Sequence, residues 1–546
     1  MSAEHRLREP TEPNDCSSPQ YSKPVELPSQ EEIVESCRIF TTSYFQLGFI
    51  PKATFSEKII NHEVDEFLIL CILSLSARFT PCLVARYGSE SKATDWFMRQ
   101  AHQLVPQKMY KPNLEVTQGF FLLSIAEWGN GEREQSSIHM GIAVRMAAML
   151  KLHREETYQL RDGASEEEII DAEMARRTFW MIQSQDNLHS GYNSPAPFSL
   201  DDITALLPCE ELDFLFGVVP QERAALQNTV PAIANPSLTG SSKRSLFATL
   251  IQAHSLWGRV ARKAAGPSRV SSTPLPSPLS PSSEYGKIVQ DLAEFEKCLP
   301  PQQKWSIRNL RVWKDLGFEL AYLSVVMMLR LSNIIVRRMH LEDIKSSIVD
   351  KNVEESIRNF WEGVSFKLFS NVEELYEQIE SCFSTRSCNE PQAYPAILVL
   401  PVYVCGSLAL NLWKWPSLCP HMAGKAAEMV SRCLNIITGL QSAWPMAKNW
   451  QQGLQQAATP LSGGFSPASN TTCQSLRGSA NDMQAPALTL ESNREGGFRG
   501  IIQINEPFGA IPQIDPSIHI GTIPNDIFDA EVTAFLQEAH YGLWDI

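Results

Sequence analysis

Residues 173–217 decide the fold class, and they read EMARRTFWMIQSQDNLHSGYNSPAPFSLDDITALLPCEELDFLFG. The stretch opens with a helical repeat, in which one face carries Ala175, Phe179, Ile182 and Asp186. The segment NSPAPFS then ends the helix, because its two prolines cannot continue it. Similar helical periods recur along the chain, and no sustained alternation of apolar and polar residues interrupts them. The sequence therefore predicts an all-α protein.

Changes in composition divide the chain into helical halves joined by polar segments. The N-terminus is polar and rich in proline, which predicts disorder. A Ser/Pro-rich stretch separates two helical regions, and a Gly/Ser-rich stretch follows the second. The predicted segments are a disordered N-terminus (1–30), a first helical half (31–265), a Ser/Pro linker (266–284), a second helical half (285–457), a low-complexity linker (458–500) and an acidic, aromatic tail (501–546).

The charge balance and the cysteines exclude several classes of protein. The net charge is −14, from 47 basic and 61 acidic residues. Proteins that bind nucleic acid directly usually present a basic surface, so this balance argues against direct DNA binding. None of the twelve cysteines forms a C-x-x-C pair, and the N-terminus has no apolar signal segment. We therefore predict neither a zinc site nor a disulfide framework, and no metal or cofactor.

One segment is long and apolar enough to raise the question of a membrane. Residues 395–413 read PAILVLPVYVCGSLALNLW, which is 19 residues without a charge. The stretch contains two prolines, Ser407 and Asn411, and no basic cluster flanks it. A helix at the centre of a helical domain is equally apolar on all sides. We predict a buried helix rather than a membrane span.

The sequence contains no complete enzyme motif, so we predict no catalytic residues. The segment GNGERE lacks the third glycine and the preceding strand of a dinucleotide-binding loop. The alternative enzyme class is a helical, terpene cyclase-like protein of isoprenoid type, in which clustered aspartates hold magnesium. Only Asp201 and Asp202 could begin such a cluster, and Ala205 stands where a third acid would be needed. We interpret the two acids as a helix-capping turn.

Asp186 lies on an apolar helix face, where a carboxylate needs a partner. The preceding helix carries Arg145 on the side of Ile138, Ile142 and Met149. If that side faces the core, Arg145 is the first candidate partner of Asp186. We predict a structural pair rather than a catalytic acid.

The tail combines five acids between residues 526 and 546 with aromatic residues and no Lys or Arg. Such mixing is typical of activation segments that fold on a partner, and Phe528, Phe535 and Trp544 would then supply the apolar contacts. The alternative is a C-terminal helix docked on its own domain.

The Ser/Pro linker contains three hydroxyl residues directly before proline: Thr273, Ser277 and Ser280. Phosphorylation at these positions would add roughly −2 of charge per site. An unmodified flexible spacer is the alternative.

Several fragments in order resemble a known family. The fragments are IHMGIAVRMAAMLKLHRE, ARRTFW, the D-x-x-x-S-G of residues 186–191 and ITALLPCEELDF. Together they resemble the middle homology region of fungal zinc-cluster transcription factors. The later GLQSAWPMAKNW is similar to the C-terminal Trp-x-x-Ala-x-x-Trp stretch of that family. The resemblance covers residues 31–457.

This resemblance implies an all-helical regulatory domain without catalytic residues. Residues 176–180 and 207–214 would pack the domain and anchor its loop. The residues singled out as structural are Arg145, Arg176, Arg177, Trp180, Asp186, Pro208, Cys209 and Phe214.

The resemblance also implies a function, that of a nuclear transcriptional regulator of metabolic or secondary-metabolite genes. The DNA-binding module of the family is a six-cysteine zinc cluster, and neither of its halves is found around Cys16 and Cys37. We therefore expect action through the transcription machinery or a DNA-binding partner protein, with a homodimer or heterodimer as a further option. A small-molecule sensor acting away from chromatin is a third reading.

Overall fold

The computed structural model describes residues 28–44, 48–188, 196–241, 244–264, 283–350, 353–384 and 394–458. Outside them lie most of the predicted N-terminal segment and of the Ser/Pro linker, nearly all of the low-complexity linker, and the tail. The predictions that fall outside the described residues concern Thr273, Ser277, Ser280, Phe528, Phe535 and Trp544.

Within the described ranges the chain forms helices and no strand, so the all-α prediction is confirmed. The helices before the linker are α1 (Gln30–Ser43), α2 (Lys52–Ile60), α3 (Glu66–Ser76), α4 (Pro81–Tyr87), α5 (Glu90–Lys108), α6 (Leu114–Asn130), α7 (Arg133–Met149), α8 (Glu166–Leu188), α9 (Glu211–Phe216), α10 (Val230–Ala234) and α11 (Leu246–Ala264). Those after it are α12 (Glu284–Lys297), α13 (Ile307–Asp315), α14 (Glu319–Arg338), α15 (Leu341–Val349), α16 (Glu355–Ser384), α17 (Val399–Lys414), α18 (Pro420–Ala423), α19 (Ala426–Leu440) and α20 (Ala447–Ala458).

Capping residues in the sequence fix the ends of helices α1 and α6. Helix α1 begins with a capping box, in which Ser29 and Glu32 satisfy each other's backbone N–H groups. Helix α6 is capped by the Asn113 side chain, which accepts a hydrogen bond from Val116 N at 2.8 Å. It ends at Gly131, whose φ of 90° suits glycine. The turn sends α7 back antiparallel along α6, as the sequence predicted.

The two helical halves share one continuous hydrophobic core, which extends from Cys37 to Ala458. Helix α11 of the first half packs on α14 of the second, and α14 packs in turn on α16. Among the residues that the structure describes, two helical segments are long and apolar enough to cross a membrane, residues 319–338 and 396–414. Their most apolar windows are 100% and 83% buried inside the protein, so both are central core helices here.

The predicted orientation of α7 is wrong. Ile138 and Met149 are 62% and 60% exposed, and Arg145 on the same side faces solvent. The buried face instead carries serine, alanine, methionine and one histidine: Ser136, His139, Met140, Ala143, Met146 and Ala147. Small side chains allow α7 to approach α6 closely, and this packing outweighs the burial of larger residues on the other face.

We expect Gly129→Ala to lower the free energy of unfolding by about 1–3 kcal/mol. A Cβ atom at Gly129 would lie 2.4 Å from Cζ3 of Trp444, a fully buried ring. The matched control is Gly141→Ala in α7, where an added Cβ meets no atom within 4 Å. That change should stabilise the protein by up to about 1 kcal/mol through helix propensity. Urea unfolding of both variants measures the difference, and two changes of the same sign would contradict the prediction.

Candidate functional site

Helix α8 carries a buried polar face in the middle of the fold. Glu173, Arg176, Arg177 and Trp180 recur at helical spacing, and all four are at most 3% exposed. The loop of residues 203–210 and helix α9 lie against this face. We call this arrangement the α8 joint.

Arg177 is the most heavily bonded residue of the α8 joint. Its guanidinium donates to the carbonyl oxygens of Gly48 (3.1 Å) and Cys209 (3.1 Å) and to the carboxylates of Glu173 (3.2 Å) and Glu211 (2.5 Å). It also lies 4.1 Å from the centre of the Phe214 ring. Burial alone would lower the pKa of Arg177, but the charges of Glu211 and Glu173 outweigh it and raise the pKa. Arg177 is therefore a permanent cation held inside the protein.

Arg176 and Trp180 bind the loop of residues 203–210 through the backbone of Leu206. Arg176 makes a two-pronged ion pair with Glu155, at 2.6 and 2.7 Å, and its guanidinium lies 4.1 Å from the Tyr158 ring centre. The carbonyl oxygen of Leu206 accepts from Arg176 Nη1 at 3.0 Å and from Trp180 Nε1 at 2.8 Å. The backbone carbonyl of Leu206 thus accepts hydrogen bonds from two side chains of α8.

Glu173 is the buried anion of the α8 joint. Its Oε1 accepts from Cys209 N at 2.9 Å, and Arg223 Nη1 lies 2.7 Å from its Oε2. Burial would raise the pKa of this carboxyl, but Arg223, Arg177 and Arg176 together lower it. Nearby, Ser245 Oγ donates to the carbonyl oxygen of Pro208 at 2.9 Å.

The structure therefore brings together six of the eight residues singled out from the sequence: Arg176, Arg177, Trp180, Pro208, Cys209 and Phe214. Three arginines balance three glutamates, and the backbone carbonyls are used as acceptors. Such an arrangement fixes a loop to a helix, and its charged groups are paired with one another.

Asp186 lies nearly two helical turns beyond Trp180 and is not paired with Arg145, which is exposed on α7. The cation that interacts with it is Arg262 of α11. The residue is half-buried, but its Oδ2 atom is fully buried. Burial raises the pKa of the Asp186 carboxyl to about 7, although Arg262 opposes the shift. The prediction of Arg145 as the partner is wrong, because the face of α7 that carries Arg145 is exposed to solvent.

We expect Asp186→Asn to gain stability relative to the parent as the pH rises. The pKa is raised from 3.8 to about 7 in the folded protein, so the folded state retains a proton that the unfolded chain has lost. The parent therefore loses stability between these two values, whereas the amide does not titrate. The difference between the variants should grow by roughly 2–3 kcal/mol from pH 5 to pH 8. Urea unfolding at both pH values tests this, and parallel profiles would contradict it.

The two aspartates that could begin a magnesium site in a terpene cyclase-like enzyme lie on the surface. Asp201 and Asp202 belong to a short 3₁₀ turn, and both are exposed. Asp202 Oδ1 lies 3.6 Å from Arg154 Nη2. This geometry matches an exposed turn rather than a magnesium-binding pocket wall.

A cavity of about 510 Å³ lies where the two halves meet. Its lining includes Arg78 from the first half and Tyr394, Arg432 and Trp444 from the second. The Arg78 guanidinium lies 4.1 Å from the Trp444 ring centre and donates to the carbonyl oxygen of Ala443. Burial lowers the pKa of Arg78 to about 10.

One cluster was missed by the sequence analysis. His102 of α5, Glu127 of α6 and His139 of α7 come together, with Glu127 fully buried. Glu127 Oε1 lies 2.7 Å from His102 Nε2 and 2.8 Å from His139 Nδ1. The hydrogen bond to Glu127 raises the pKa of His102 against the effect of burial. The ligand-like atoms come from three helices, so no short motif in the sequence indicates them.

Comparison with known proteins identifies the region that contains these features. Residues 39–258 match the family model described as the fungal specific transcription factor domain. This part of the chain is a fungal specific transcription factor domain. The α8 joint and the His102–Glu127–His139 cluster both lie within the fungal specific transcription factor domain, whereas Trp444 lies outside it.

Curated relatives of the chain are transcriptional proteins by name. One is an uncharacterized transcriptional regulatory protein of Schizosaccharomyces pombe, 29% identical over 314 residues, which are 54% of this chain and 44% of the relative. Two others are Zn(2)-C6 fungal-type transcription factors of Fusarium oxysporum f. sp. lycopersici. They are 26% and 25% identical and cover 65% and 78% of this chain, and 39% and 38% of their own lengths. The chain thus spans about two fifths of the length of these relatives. No solved structure matches it.

Proposed function

We propose that the protein is a nuclear transcriptional regulator that acts through its helical domain and is not an enzyme. The observation that carries the proposal is the fungal specific transcription factor domain at residues 39–258. Relatives named as transcriptional regulatory proteins and transcription factors support it.

The geometry of the α8 joint supports a scaffold rather than a catalytic role. Its charged groups are paired inside the protein, where Arg177 is 0% exposed and Glu173 is 2% exposed. Catalysis needs an acid, base or nucleophile that can reach a substrate. The polar residues of the joint are instead used to hold a loop and helix α9 against α8.

We further propose that the protein reaches DNA through a DNA-binding partner protein or the transcription machinery. The net charge of −14 opposes direct binding to phosphate groups. The 546 residues contain no C-x-x-C pair that could form half of a six-cysteine zinc cluster. Within this proposal the tail residues Phe528, Phe535 and Trp544 are the contacts of an activation segment.

A tethering assay tests the proposal in fungal cells. The chain is fused to a heterologous DNA-binding domain and a fluorescent protein, and reporter output and localisation are recorded together. We expect nuclear fluorescence and a change in reporter output. Replacement of Phe528, Phe535 and Trp544 by alanine should reduce an increase in output if the tail activates transcription.

A matched control uses the same fusion with the exposed Tyr110 changed to alanine, which should behave like the parent. Exclusion from the nucleus, or a reporter unaffected by the tethered chain, would contradict the proposal. Unchanged output from the triple alanine variant would contradict the tail assignment alone.

A further inference from the structure

The cluster of His102, Glu127 and His139 has the composition of a metal site. Each side chain offers one ligand atom, and these atoms all lie within 4.8 Å of one another. Two imidazole nitrogens and a carboxylate oxygen are a common three-residue ligand set for Zn²⁺, with a fourth position left for water. The cluster is distinct from the α8 joint and plays no part in the proposed function.

The distances suit an ion of this size. Zn²⁺ lies about 2.0–2.2 Å from nitrogen and oxygen ligands, which places tetrahedral ligands about 3.4 Å apart. The His102–Glu127 and His139–Glu127 distances are 2.7 and 2.8 Å, which are hydrogen-bond lengths, so each pair would separate by about 0.6–0.7 Å around an ion. Small side-chain movements would therefore bring all three atoms to coordination distance.

Burial and access also favour an ion. Glu127 is 0% exposed, and its carboxylate lies against two imidazole nitrogens, which can compensate its charge as N–H donors or, as neutral ligands, together with a bound cation. The His102 side chain is 30% exposed, so an ion has a path from solvent to the cluster. All three ligands lie on helices, and the tight turn at Gly131 fixes the placement of Glu127 on α6 relative to His139 on α7.

We propose that His102, Glu127 and His139 bind one divalent transition-metal ion, Zn²⁺ first among them, where α5, α6 and α7 meet. The bound ion joins three consecutive helices of the fungal specific transcription factor domain and stabilises their packing. This differs from the sequence prediction that the chain has no metal site, because that prediction considered only ligands at short spacings in the sequence.

Metal titration of the purified full-length chain tests the proposal. After treatment with a chelator, the chain is titrated with ZnCl₂ by calorimetry and with CoCl₂ by visible spectroscopy. We expect one high-affinity ion per chain and tetrahedral cobalt bands without a thiolate charge-transfer band, since no cysteine belongs to the ligand set. Zinc should also raise the melting temperature.

Variants separate this site from zinc bound elsewhere. His102→Gln and His139→Ala should each weaken Zn²⁺ binding at least about tenfold. Two controls should bind like the parent. His62→Asn removes an exposed histidine at a φ of 58° that asparagine tolerates. Cys419→Ser removes a competing pair, in which Cys419 Sγ lies 3.3 Å from His421 Nδ1.

Circular dichroism of each metal-free variant shows whether it is folded before titration, and His102→Gln keeps a polar group beside Glu127 if His139→Ala does not fold. Absence of a stoichiometric ion in the parent would overturn the proposal. So would a thiolate charge-transfer band with unchanged affinity in folded His102→Gln.

Discussion

Arg177→Ala is expected to lower the free energy of unfolding by about 3–5 kcal/mol, because it removes the cation from a buried, hydrogen-bonded pair. Glu173 would lose one of its compensating charges, and the carbonyl oxygens of Gly48 and Cys209 would lose their donor. A loss of this size is a large part of the stability of a typical domain. Urea unfolding followed by circular dichroism measures it.

Arg38→Ala is the matched control for Arg177. Arg38 pairs with Glu35 at 2.7 Å on the surface of α1, and its side chain is 58% exposed. An exposed pair of this kind contributes below about 0.5 kcal/mol. Arg177→Lys should fall between the two, because it keeps the charge but not the branched donor geometry. Equal stabilities for Arg177→Ala and Arg38→Ala would show that the α8 joint is not an anchor.

Trp444→Ala is expected to cost about 3–5 kcal/mol, the usual range for deleting a large buried aromatic ring. The ring is fully buried, and its Nε1 donates to the carbonyl oxygen of Tyr394 at 2.7 Å. It also covers the guanidinium of Arg78, which would be left beside an empty space. Thermal and urea unfolding of the variant test this expectation.

Two further tryptophan variants make the test specific. Trp444→Phe keeps a ring over Arg78 and loses the hydrogen bond to Tyr394, so we expect a smaller loss of about 1–3 kcal/mol. Trp415→Ala changes a tryptophan that is 44% exposed and should cost below about 1 kcal/mol. A Trp444→Ala protein as stable as Trp415→Ala would contradict the assigned packing role.

Much of the fold could be predicted because its helices have strong local patterns. The apolar run at residues 395–413 indicated a buried helix, and α17 is buried on all sides. The glycine turn between α6 and α7 was also evident from the sequence. The buried face of α7 was not, because apolar residues occur on both of its faces. Only the close approach of α6 decides that Ala143 and Ala147 are inside and Ile138 is outside.

The site was predictable only where its residues lie together in sequence fragments that resemble a known family. The Arg-Arg-Trp helix and the Leu-Pro-Cys loop lie within residues 176–209, and a resemblance of ordered fragments indicated both. Arg262, which interacts with Asp186, lies on α11, far along the sequence. His102, Glu127 and His139 are 25 and 12 residues apart, so only the packing of three helices brings them together.

The match to the family ends at residue 258, in the middle of helix α11 (Leu246–Ala264). Beyond that point the same helix continues, and it packs against α14 of the second half. The segment that matches the family model is therefore smaller than the part of the chain that shares one continuous hydrophobic core. A truncation at residue 258 would remove α14 from α11 and Trp444 from its position against Gly129, so we expect the remaining fragment to expose apolar surface and to be unstable on its own.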